Sequence, residues 1–128
     1  MAKPVDLARL AALLADYRFA FLVTVGDDYR IHTTAITPTF DGVRLDVGPV
    51  GSHGRANLSS RTAVTVIWPA RDVGDYSLLV DGQAEVPADP ATGVLVTPTK
   101  ALLHRPVLDP GTQRAQGTAH DCVQLKAD

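Results

Sequence analysis

The feature that most limits what this chain can fold into is the spacing of its apolar, β-favouring runs. They follow one another at hairpin distance, with too few residues between most of them for crossover helices. The run 19–25 ends on Gly26-Asp27-Asp28, a turn signal. The run 30–40 is rich in β-branched residues, and Pro38 within it predicts an edge strand or a bulge. Asp41-Gly42 predicts a two-residue hairpin into 43–47. The nearly unbroken apolar run 62–68 predicts a strand buried on both faces. In 76–86 the pattern continues on both sides of Asp81-Gly82, which predicts a bulge rather than a turn. A turn at Ala88-Asp89-Pro90 leads to strand 94–104, and a last short strand covers 121–126. The stretch 104–119 holds prolines, glycines and few large apolar residues, and reads as a mobile loop.

Two helices complete the pattern. Leu7, Leu10, Leu13, Leu14 and Tyr17 recur at helical spacing behind Pro4 and Asp6, predicting an amphipathic helix that lies as a lid. A short inserted helix follows Gly51. Seven strands with these helices predict a mainly β, antiparallel barrel in one domain spanning 1–128, a length that suits a single core.

Charge and cysteine usage narrow the function. A formal net charge of −2 supplies no field for a polyphosphate backbone, so nucleic acid is not an expected partner. Any bound anion needs a local site. One cysteine, Cys122, excludes an internal disulfide and a multi-cysteine metal centre. The opening MAKPVDLARL lacks the apolar core of a signal peptide, and no run is long enough to span a bilayer, so the expected location is the cytoplasm, off the membrane.

The segment Gly51-Ser52-His53-Gly54-Arg55-Ala56-Asn57-Leu58 follows a strand and opens a helix. Its glycines admit close approach, Ser52 can cap, and first-turn N–H groups favour an anion. Arg55 adds a forked cation and His53 a further donor, which together describe a phosphate seat. An ordinary capped turn with a solvated arginine accounts for the same residues. Arg30, His32 and Thr34 alternate with Ile31, Thr33 and Ala35, giving one polar strand face. That face either lines a flat ring or simply meets solvent.

The order of these pieces, FAFLVTVGDDYRIHTTAI, TFDGVRLDVG, SHGRANLSSRTAVTVIW and SLLVDGQAEV, resembles the pyridoxamine 5′-phosphate oxidase-like split barrels, the flavin/deazaflavin oxidoreductase superfamily. The resemblance spans about residues 7–86 and is carried by Thr24-Val25, His32, Asp41-Gly42, Arg55, Asn57-Leu58 and Arg61. It implies an FMN-binding split β-barrel that forms a homodimer with cofactor sites at the interface. The phosphate end would lie on Ser52, His53, Arg55 and Asn57, and the ring along His32, Thr33, Thr34 and Ala35. Trp68 would either line that cleft or belong to the core. The implied activity is hydride or electron transfer from FMN to a small organic substrate, the chemistry being the cofactor's. A deazaflavin-dependent reductase, whose polyglutamyl tail needs further cations, is one alternative. A protein that sequesters flavin or haem without turnover is another. Departures from the oxidase proper, with fewer basic residues at the turn and no equivalent of its substrate site, argue against pyridoxamine-phosphate oxidation.

No side chain stands out as a catalytic acid or base. Among His32, His53, His104 and His120 no i, i+4 pair exists. His104-Arg105 at a strand end could face the cleft. His120 and Cys122 alternate on one strand, but two ligands fall short of a metal site, so no metal is expected.

Overall fold

The computed structural model describes residues 4–128, the side chains of 116–119 excepted. Eight strands, β1 (Ala20–Val25), β2 (Ile31–Ile36), β3 (Thr39–Phe40), β4 (Leu45–Asp46), β5 (Ala63–Trp68), β6 (Ser77–Glu85), β7 (Leu95–Leu108) and β8 (Ala115–Gln124), accompany two helices, α1 (Leu7–Leu14) and α2 (Ser52–Ser60). All strand pairings are antiparallel. They run β2-β1-β5-β6-β7-β4-β3, with β8 also on β7. The fourteen-residue β7 makes this possible: one edge carries β6, and the other carries β4 near its start and β8 further on.

Alternation places one side of the sheet in the core. Leu22, Val64, Val66, Leu78, Val80, Val94 and Val96 are all buried. α1 covers this side. Asp6 caps it by accepting from Arg9 N at 3.1 Å, and Leu10 is fully buried. A leucine in that position contributes about 1.5–3 kcal/mol. The chain ends meet beside it, with Val5 bridged to Lys126 and Asp6 N donating to Leu125 O. No helix of the described residues is long and apolar enough to cross a membrane.

The bulge expected at Asp81-Gly82 is present, as a register shift against β7. A Cβ on Gly82 would lie 2.6 Å from the Thr97 carbonyl oxygen, so close backbone approach requires glycine there. Other expectations change. Run 30–40 is two strands, because Pro38 has no N–H for a ladder and the chain breaks at 37–38. The Asp41-Gly42 hairpin is wider than two residues: Phe40 pairs with Leu45, and Asp41 Oδ1 accepts from Val43 N and Arg44 N. β5 is buried on one face rather than two, since Thr65 and Ile67 lie on the half-covered outer side. Most of the stretch read as a loop at 104–119 is strand, the end of β7 and the start of β8, joined by a turn closed by Asp109 N to Arg114 O at 2.7 Å. The side chains of 116–119 lie outside the described residues. β-branched content was too low to signal these strands from sequence; pairing with each other sustains them.

Candidate functional site

Three contacts fix α2 against the β1–β2 hairpin. Asn57 Nδ2 donates to Thr24 Oγ1 at 3.0 Å, with both residues buried. Arg61 Nη1 donates to the Gly26 carbonyl at 2.9 Å, and its guanidinium lies 4.8 Å from the Tyr29 ring centroid. At the other end of α2, the Gly54 backbone is pressed against the Val50 side chain, where a Cβ would collide with Val50 Cγ1. The start of α2 is thereby held beside β2.

The outcome is a pair of histidines. His32 on β2 and His53 on α2 stack, with ring centroids 4.3 Å apart and planes 13° from parallel. His53 is exposed and His32 half-buried. Neither the spacing of 21 residues nor the local pattern announces this contact; it needs the hairpin register and the anchoring of α2.

Other expected residues fall differently. The N-cap of α2 is Gly51, not Ser52, and no side chain caps the helix. Ser52 is exposed at the first helical position. Arg55 is no solvated arginine: Nη2 donates to Pro87 O at 3.0 Å, tying α2 to the segment after β6. Its buried Nη1 has no hydrogen-bond partner among the described residues. Asn57 is buried and donates to Thr24, which anchors α2 to β1. Trp68 is 3 % exposed and packs in the core, lining none of the clefts described below. On β2 the four expected residues divide between two faces. His32 and Thr34 share the side of buried Ile36, whereas Thr33 and Ala35 point outward with Ile31. The polar face is thus the inner one, and the outer face carries an isoleucine that is 67 % exposed.

Two clefts lie towards the opposite end of the β1–β2 pair, neither of them lined by His32 or His53. A groove of about 420 Å³ runs between Ala35, Ile36 and Thr37 on one side and Val47, Gly48 and Pro49, which lead into α2, on the other. A larger cleft of about 460 Å³ lies among the end of α1, the 69–76 segment and β7, lined by Tyr17, Arg18, Arg71, Tyr76 and Leu103. Phe19 lines both. Sequence reasoning missed the second cleft; its signal was the tyrosines and arginines flanking a proline-led loop. Tyr17 Oη donates to the Tyr76 carbonyl at 2.9 Å. Burial, with the Asp16 and Asp75 carboxylates nearby, raises the Tyr17 phenol above its ordinary pKa and keeps it a neutral donor.

No family model matches the sequence. The chain is 45 % identical to the uncharacterized proteins Mb0449c of Mycobacterium bovis and MT0457 of Mycobacterium tuberculosis, over 135 aligned positions that cover 95 % of each chain. Among solved structures it resembles a Clostridium acetobutylicum protein of the pyridoxinephosphate oxidase family (TM-score 0.64, 12 % identity, 93 % of this chain and 94 % of that one). It also resembles an F420 reductase (TM-score 0.57, 22 % identity, 70 % and 93 %) and a heme binding protein from Mycobacterium smegmatis (TM-score 0.54, 17 % identity, 97 % and 60 %). At these identities the structures speak for the fold alone, and that fold is the split barrel the sequence led us to expect. The chain belongs to the family of the mycobacterial proteins Mb0449c and MT0457.

Proposed function

We propose that this protein is an FMN-binding oxidoreductase that transfers hydride or electrons to a small organic substrate, acting as a homodimer. The observation that carries the reading is the stacked His32–His53 pair at the uncapped start of α2, with a groove between the end of β2 and the 47–49 segment that leads into α2. The donor set fits a phosphate. It comprises first-turn N–H groups without a side-chain acceptor, the exposed His53 imidazole and the partnerless Nη1 of Arg55. The groove past Ala35 suits the ring, and the cleft across Phe19 suits a substrate next to it. Bound there, the flavin supplies the redox chemistry. The chain's own part is to bind, orient and keep water from the ring.

The groove favours FMN over a deazaflavin with an anionic tail, because no lysine or arginine lines it. Absence of turnover with saturable flavin binding would instead favour a sequestering role. The test is titration of the purified chain with FMN, deazaflavin and haem. One FMN per subunit is expected, and His53→Ala should weaken binding about tenfold or more at nearly unchanged Tm, as loss of one charge-assisted contact predicts. Arg55→Ala is a poorer probe, since loss of its bond to Pro87 O also costs stability. Unaltered FMN affinity in His53→Ala would remove the assignment, and preference for deazaflavin or a haem Soret band would replace the cofactor.

A further inference from the structure

Cysteine is among the residue types most often buried, yet Cys122 is exposed on β8. What surrounds it is unusual. Antiparallel register sets Cys122 directly opposite His104 of β7, and residues so paired project from the same face. His120, two residues earlier on β8, shares that face through strand alternation. Sequence alternation supplies two of these groups; the β7–β8 pairing, absent from the reading of 104–119 as a loop, supplies the third.

The distances are those of a ligand set. Cys122 Sγ lies 3.6 Å from His120 Nδ1, and the His104 and His120 ring centroids are 5.4 Å apart. One ligand atom from each of the three lies within 4.8 Å of the others. Tetrahedral zinc, with Zn–S of about 2.3 Å and Zn–N of about 2.0 Å, separates sulfur from nitrogen by about 3.6 Å. The Cys122–His120 edge already has that length, and small side-chain rotations bring His104 to it. The neighbouring charges do not compete. Asp121 and Arg105 alternate to the other face, where Arg105 Nε and Tyr76 Oη both donate to the Asp121 carboxylate.

We propose that His104, His120 and Cys122 bind one zinc ion on the β7–β8 hairpin. One thiolate and two imidazoles form a borderline-soft donor set that suits zinc better than magnesium or calcium. Three protein ligands leave a fourth position for water or another ligand, and binding displaces the thiol proton. This site is separate from the α2 start and does not depend on the cofactor reading.

The test uses the full chain under reducing conditions with Co²⁺ as the probe, followed by Zn²⁺. One equivalent of Co²⁺ should give a thiolate-to-cobalt charge-transfer band with tetrahedral visible bands, all displaced by Zn²⁺. Cys122→Ser should abolish the charge-transfer band. His104→Ala should weaken binding about tenfold or more, and His53→Ala should leave it intact. In parallel, Zn²⁺ should raise the Tm of the wild-type chain and not that of Cys122→Ser, a readout that needs no histidine variant to fold. Cobalt binding without a thiolate band overturns the proposal, as does binding lost in His53→Ala or a zinc-induced Tm shift that survives in Cys122→Ser.

Discussion

Tyr76, Asp121 and Arg105 show how single side chains tie the added strand β8 to the rest of the sheet. The Tyr76 hydroxyl donates to Asp121 Oδ2 at 2.6 Å, and the Arg105 guanidinium stands 4.5 Å from the Tyr76 ring centroid. The tyrosine hydrogen bond, helped by Arg105, holds the Asp121 carboxyl below the usual carboxylate range. The same bond, with burial, holds the Tyr76 phenol above its usual value. A carboxylate lowered in the folded state stabilises above its unfolded pKa, about 3.9, and loses that contribution as pH falls through the folded value. A raised phenol stabilises below its unfolded pKa, about 10, and loses that contribution as pH rises through the folded value. The pair therefore contributes most between these limits. Tyr76→Phe should lower Tm across that window, with its curve converging on the wild type's at both extremes. A gap of constant size from acid to alkali would show that the coupled titration is not the source. None of this was readable from sequence, because the partners lie 45 residues apart and meet only once β8 docks. His32 and His53 were read singly for the same reason: each was visible, and their stacking was not.

At the level of elements, glycine positions carry the sharpest information. Asp81-Gly82 was legible as a bulge because the alternation continues on both sides, and the structure gives the reason in the close Thr97 backbone. Gly54 was read as freedom to approach a ligand, but its tightest neighbour is Val50, a buried residue of its own chain. Gly54→Ala sets two effects against each other. Alanine improves helix propensity by about 1 kcal/mol, whereas overpacking costs about 1–3 kcal/mol. Because Val50 is buried and cannot swing away, overpacking should win, by up to about 2 kcal/mol. Val50→Ala combined with Gly54→Ala should recover part of that loss in a double-mutant cycle by denaturant unfolding. Additive losses would mean the two side chains do not compete for the same space. Elsewhere the limits of the sequence were physical. β-branched runs announced β1, β2 and β5, whereas the β7–β8 hairpin is held by pairing that no local pattern encodes.

At the scale of the whole molecule, the outer face of the sheet has no cover among the described residues. Register aligns Ala35, Phe21, Ile67, Leu79 and Leu102 in one row across five adjacent strands, β2, β1, β5, β6 and β7. The last four of these are half-buried, and Phe19, 41 % exposed, packs edge-on to Phe21 at 5.4 Å. A continuous apolar row on a sheet face is more than scattered surface hydrophobics and marks an interaction surface. A second copy of the chain is the occupant that fits the homodimer reading, since a two-fold axis lets the same patch cover itself. Light scattering behind size exclusion should then give about twice the 13.6 kDa chain mass. Ile67→Lys puts a charge mid-row, where pairing two copies would bury it, and should shift the protein to monomer. Val43→Lys changes an exposed apolar residue off that row and should leave the dimer intact. If the dimer also completes the flavin site, Ile67→Lys should lose FMN affinity with its fold retained, as judged by circular dichroism. A folded monomer that binds FMN as well as the wild type would confine the cofactor site to one subunit, and a wild type that is monomeric would leave the apolar row for a different partner.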